Sequence, residues 1–211
     1  MNAMDAQKDY DRMARRVAIM GGTFDPIHYG HLLTAETVRE KLQMDQVLII
    51  PTGVSYFKIN RNVTPPDVRF RMVEAAVRDN PWFFASPIET ERDGYTYTVD
   101  TIHQLRQIYS DSTEFYFIIG ADAISGLSSW YHVKELVSLC HFVSVNRPGY
   151  DSIVPDIFNE EGCKGFYRVS VPEMEISSSD LRERVRRGES IRYMVPEIVE
   201  QMIYQYGLYQ E

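Results

Sequence analysis

The sequence predicts an α/β fold, a doubly wound and mostly parallel sheet. Two observations carry that prediction. Short apolar runs alternate with segments of helical period along 211 residues, and runs such as VLIIP are continuously apolar, as in strands covered on both faces. Successive parallel strands then need right-handed crossovers, which the intervening helical segments supply.

Each element has its own signal. RVAIM (residues 16–20) is a short buried strand, and LLTAETVREKL (32–42) has helical spacing, so the two form a strand–helix unit. VLIIP (47–51) is the second strand. DVRFRMVEAAVRDNP (67–81) is a helix opened by Pro65-Pro66 and stopped at Asn80-Pro81. WFFAS is a strand, TVDTIHQLRQIY (98–109) a helix, and EFYFIIGAD (114–122) the most strand-like run in the chain. A short helical region extends to about Leu139, followed by the strands HFVSVN and YRVSV. The last elements are helices from Ser178 and over residues 196–206. Residues 52–64 form the longest stretch without periodicity and the segment expected to be ordered by a bound ligand. The organisation expected is an N-terminal extension, residues 1–16, and one domain, residues 17–211.

Composition narrows the function classes. With 44% hydrophobic and 25% charged residues the chain is globular rather than mostly disordered. Its net charge of −8 does not favour a nucleic-acid partner, so any phosphate-bearing ligand needs a local cluster of positive charge. Cys140 and Cys163 form no metal or disulfide pattern. The polar start MNAMDAQKDYDRMARR lacks the apolar stretch of a secretory signal, and no run approaches the roughly 20 residues that span a bilayer. A cytoplasmic location is expected, with no membrane partner.

Chemistry concentrates in GGTFDPIHYGH (21–31). Gly21 and Gly22 follow a strand and bare the backbone, and the next helix points its positive end at the same place. The turn is neither a Walker loop, since no GK[ST] follows, nor a GxGxxG fingerprint, which argues against a dinucleotide dehydrogenase. His28 and His31 sit three apart and share a helical face. A zinc site would need further ligands, and His103, His132 and His141 stand in no suitable pattern. Donors to phosphate oxygens, favoured as protonated imidazoles, fit best, with Gly30 leaving room between them. A second candidate anion site is ISSSDLRERVRRG (176–188), where Ser177 and Asp180 have capping-box spacing and Arg182 lies within the first two turns. Arg184, Arg186 and Arg187 read as a solvated basic face.

His28-Tyr29-Gly30-His31 together with Ser178 to Arg182 resembles the paired HxGH and [ST]xxxR-like signatures of the HxGH nucleotidyltransferases, a Rossmann-like fold family. IPTGVSYFK, RFRM, GYTYTVDT, FIIGAD, SSWYHVKEL, VNRPGY and YGLY, in that order, are similar to the bacterial nicotinate-mononucleotide adenylyltransferases, a resemblance running from about Val17 to Tyr209. It implies a reaction joining nicotinate mononucleotide and ATP, with Mg²⁺ accompanying the ATP and no protein ligand named for it. It implies that Gly21, Gly22, Thr23 and Phe24 line the nucleotide site, that His28 and His31 contact phosphates, and that Asp122 holds ribose hydroxyls. Arg147 would lie near the adenine, and Ser178 and Arg182 would hold the outgoing phosphates. Thr98, Trp130 and Tyr131 would frame the nicotinate ring, with Lys58 near the acceptor phosphate. Phe57 stands where many members carry a histidine, leaving Lys58 and Arg61 as the cations of that loop. The sequence is compatible with a homo-oligomer. Another HxGH enzyme, such as a phosphopantetheine adenylyltransferase, and a non-catalytic nucleotide sensor remain the alternatives.

Overall fold

A computed structural model describes residues 14–55, 63–146 and 154–211. The expected N-terminal extension up to residue 13, Phe57, Lys58 and Arg61, and Arg147 lie outside the described residues. Six parallel strands form the main sheet: β1 (Arg16–Gly22), β2 (Gln46–Pro51), β4 (Phe83–Ala85), β6 (Glu114–Gly120), β7 (His141–Asn146) and β8 (Phe166–Ser170), in the order β4-β2-β1-β6-β7-β8. The chain builds outward from β1 on one side, then returns to add β6 on the other. The order therefore reverses between β1 and β6, whose carboxyl ends frame the crevice where such sheets bind ligands.

The apolar runs form strands because both faces of the sheet are covered. Along β1, β2 and β6, Ala18, Met20, Val47, Ile49, Tyr116 and Ile118 enter one core, while Val17, Ile19, Leu48, Ile50, Phe115 and Phe117 enter the other. Side chains thus alternate between two interiors rather than between core and water. The first core is closed by α1 (Tyr29–Lys41), α2 (Pro66–Val77), α6 (Ser178–Arg186) and α7 (Glu197–Gln205). The second is closed by α3 (Thr98–Ile108) and α5 (Val133–Leu139). A short α4 (Ala121–Ile124) follows β6 directly. No described helix is long and apolar enough to cross a membrane.

Two differences from the sequence reading bear on the site. Helix α1 begins at Tyr29, three residues before the predicted start, so His28 is its cap and His31 lies in its first turn. Strands β3 (Val54–Ser55) and β5 (Tyr95–Thr96) pair in parallel as a second, two-stranded sheet. That pairing fastens the start of the predicted loop to the residues just ahead of α3.

Candidate active site

At the carboxyl ends of β1 and β6 lies a cavity of about 640 Å³. Gly21, Gly22, Thr23, Thr52, Glu89, Thr98, Phe117, Trp130 and Tyr131 are among the residues that line it. The glycines do different work. A Cβ at Gly21 would meet the Phe117 ring at an ordinary 3.5 Å, so this residue leaves backbone open to a ligand. A Cβ at Gly22 would come 2.9 Å from the Phe24 ring. Phe24, held at φ 49°, is 2% exposed and does not line the cavity; its edge supports the His31 ring at 5.0 Å. It supports the first turn of α1 through that ring contact.

The two histidines stack, with ring centroids 3.6 Å apart and planes 23° from parallel. Gly30 favours that stack, because a Cβ there would crowd His28 Nδ1 at 3.0 Å. The room predicted at Gly30 is taken by the imidazole itself. His31 Nδ1 accepts the His28 backbone N–H at 3.3 Å, which assigns the proton of the neutral His31 ring to Nε2. Burial pushes His28 down to about 4 and holds His31 well below the ordinary histidine range, the neighbouring His28 adding to the effect. Burial thus favours the neutral form of both rings, whereas the protonated form expected from the sequence is that of rings facing phosphate oxygens. An anionic ligand would shift them back toward the charged form.

The distant second motif meets the first. Ser178 Oγ donates to the Pro26 carbonyl at 2.9 Å, and Arg182 Nη1 donates to the Asp25 carbonyl at 2.8 Å. Arg182 also reaches Ser179 Oγ at 3.3 Å and borders a neighbouring cavity of about 650 Å³ near Tyr209. The Asp25 carboxylate is buried, accepting the Tyr209 hydroxyl at 2.6 Å and the Thr64 amide at 3.4 Å. Residues separated by more than 150 positions thus pin the turn that leads into His28.

In the lining of the cavity the Trp130 ring stands edge-on to Phe117, with centroids 5.8 Å apart. Tyr131 packs on Tyr97 at 4.4 Å and stays 52% exposed, an open aromatic face beside Thr98 at the start of α3. Asp122 falls on α4, immediately after the end of β6. Sequence reasoning missed Glu89, a 7% exposed carboxyl that accepts Thr101 Oγ1 at 2.8 Å and that burial pushes up to about 7. It lies between a proline turn and a glycine turn, where no periodicity marks a residue as buried. Arg69, Asp25 and Tyr209 also escaped notice, their partners being remote in sequence. Among the described residues no group of three His, Cys, Asp or Glu side chains is arranged to hold a metal.

A sheet that reverses its order beside a glycine turn and two stacked imidazoles defines the class. Residues 19–184 match the cytidylyltransferase-like family model. A Thermoanaerobacter sp. (strain X514) protein named probable nicotinate-nucleotide adenylyltransferase is 45% identical over 200 residues, 93% of this chain and 95% of its own. A Desulfitobacterium hafniense (strain Y51) protein of the same name is 44% identical, covering 92% and 96% of the two chains. The fold matches that of Plasmodium falciparum nicotinic acid mononucleotide adenylyltransferase complexed with NaAD, with TM-score 0.72 and 21% identity over 92% of this chain and 97% of that one. The chain belongs to the nicotinate-nucleotide adenylyltransferase family of cytidylyltransferase-like proteins.

Proposed function

We propose that the protein transfers the AMP moiety of ATP to the 5′-phosphate of nicotinate mononucleotide, releasing pyrophosphate and forming deamido-NAD, a step of NAD biosynthesis. The observation that carries this reading is the 45% identity extending over 93% of the chain, which takes in both histidines, the [ST]xxxR-like segment and the aromatic wall.

The site's chemistry supports the reading. Transfers of this kind are accelerated mainly by alignment and by stabilising charge on phosphate oxygens. The acceptor phosphate, with a second pKa near 6, is largely dianionic at pH 7 and needs no general base. Its oxygen attacks the α-phosphorus in line as the bond to the β-phosphate oxygen breaks, with no covalent enzyme intermediate. His31 Nε2–H is the donor aimed at the triphosphate, and His28 stacks against it; Gly21, Gly22 and Thr23 offer backbone to the nucleotide. Arg182 and Ser178 hold the leaving pyrophosphate, Arg182 by exchanging its present carbonyl partner for phosphate oxygens. Asp122 and Arg147 take the ribose and adenine. Trp130, Tyr131 and Thr98 take the nicotinate ring, and Lys58 the acceptor phosphate.

The donor set fits an Mg²⁺ that arrives on ATP, because the nearby Asp25 carboxylate is already engaged by Tyr209 and Thr64. When bound, Mg²⁺ would neutralise the triphosphate while keeping phosphate and water ligands.

The test is pyrophosphate release from ATP with nicotinate mononucleotide, nicotinamide mononucleotide or phosphopantetheine as acceptor. A strong preference for the nicotinate form is expected. Turnover of phosphopantetheine alone, or ATP binding without release, would overturn the assignment.

A further inference from the structure

Arg69 belongs to the RFRM stretch of α2 and is 1% exposed. Its guanidinium spans three backbone carbonyls from three segments. Nη1 donates to Thr23 at 2.7 Å, Nε to Thr64 at 2.8 Å and Nη2 to Gly53 at 3.3 Å. Burial disfavours its charge, and the nearby Asp25 carboxylate offsets part of that cost. Burying a guanidinium costs several kcal/mol, and well-packed apolar residues commonly replace buried charges without loss of stability. Space-filling is therefore a poor reason for an arginine here. What it does that an apolar side chain would not is hold three carbonyls in one plane.

Those carbonyls have a common location. Thr23 and Thr52, next to Gly53, both line the cavity, and the Thr52 amide donates to the Gly22 carbonyl at 2.8 Å. Gly53 is confined from its other flank as well, since a Cβ there would fall 2.2 Å from the Glu89 carbonyl oxygen. The Asp25 carboxylate repeats the tie by accepting the Thr64 amide. Beyond that backbone bond, one buried side chain outside the cavity lining ties the glycine turn to Gly53 and Thr64, which flank the loop carrying Lys58.

We propose that Arg69 is a positioning residue for the transfer: by joining Thr23 to Gly53 and Thr64 it sets the spacing between the donor side and the acceptor side, and so the distance from attacking oxygen to α-phosphorus. This rests on the reaction assigned above. Misplacement by about 1 Å costs such reactions on the order of 10²-fold.

The experiment is steady-state kinetics of wild type, Arg69→Lys and Gly53→Ala, with melting curves and ATP titration in the absence of acceptor. Lysine keeps the charge but cannot span three carbonyls. Arg69→Lys should lose on the order of 10²-fold in kcat while both KM values and ATP affinity stay within about threefold, the signature of an effect confined to the transition state. Gly53→Ala leaves Arg69 intact, moves the same wall from the Glu89 side, and should show the same split. A folded Arg69→Lys with near-normal kcat, or a loss lying wholly in KM, overturns the proposal. Should Arg69→Lys not fold, Gly53→Ala decides, and wild-type kcat in that variant overturns it. A wild-type protein inactive with nicotinate mononucleotide would overturn the reaction assignment itself, an outcome separate from these.

Discussion

Helices α1 and α6 both begin at the turn around Asp25 and Pro26, yet their first turns are built on opposite plans. Helix α6 is capped from within: Ser177 accepts the Asp180 amide at 3.1 Å, and Asp180 supplies a negative charge to the first turn. Helix α1 has His28 as its cap residue and no acidic residue in its first turn, and its capping box is made of two imidazoles, the His28 ring facing the His31 amide. The other half of that box is the His28 amide, which donates to His31 Nδ1. A first turn that holds a carboxylate answers the positive helix end itself, while one without an acidic residue leaves that end for an anion from outside. The acidic residue that α6 carries in its first turn is absent from α1, where the proposed reaction would bring a triphosphate.

Removing the open helix's own donor should have the largest effect. His31→Ala is expected to lose 10²–10³-fold in kcat, the usual range for one charge-stabilising donor. Pyrophosphate release would measure it, and near-normal turnover would equate the two helix starts.

Next comes pH. The depressed His28 gives stability that is present above 6.5 and lost as pH falls toward 4. The raised Glu89 runs the other way, its contribution present below 4.5 and lost as pH rises through 7. Each is worth up to about 3 kcal/mol, and between 4.5 and 6.5 they oppose. Glu89→Gln should therefore steepen the acid-side loss that buried histidines impose and raise stability above pH 7. Melting curves from pH 4.5 to 8 would show it, and parallel wild-type and variant curves would refute it.

The smallest effect belongs to the capped helix. Ser177→Ala should cost about 1 kcal/mol of stability with kcat unchanged. A large loss of turnover there would mean that α6 also presents its start to the ligand.

Much of this was legible in the sequence because the signals were local. Continuous apolar runs marked β1, β2, β6 and β7, Pro65-Pro66 marked α2, and Ser177 with Asp180 marked α6. The early start of α1 was not legible, since a histidine carries no capping signature. Strands β3 and β5 are two residues each, too short to display a period. At the site, the motifs named the histidines, Ser178 and Arg182, and the structure brings these beside one turn. The supporting groups stayed hidden because their meaning is purely tertiary: Phe24 reads as one more apolar residue until its ring is found beneath His31, and Arg69 as one more helix cation until its three carbonyls are found.

The hydrogen bond between Tyr209 and Asp25 joins residues 184 positions apart. On the ribosome, at roughly 5–20 residues per second, the turn is made on the order of 10–40 s before the hydroxyl that fastens it. During synthesis the turn that leads into His28 therefore waits for a phenol made long after it.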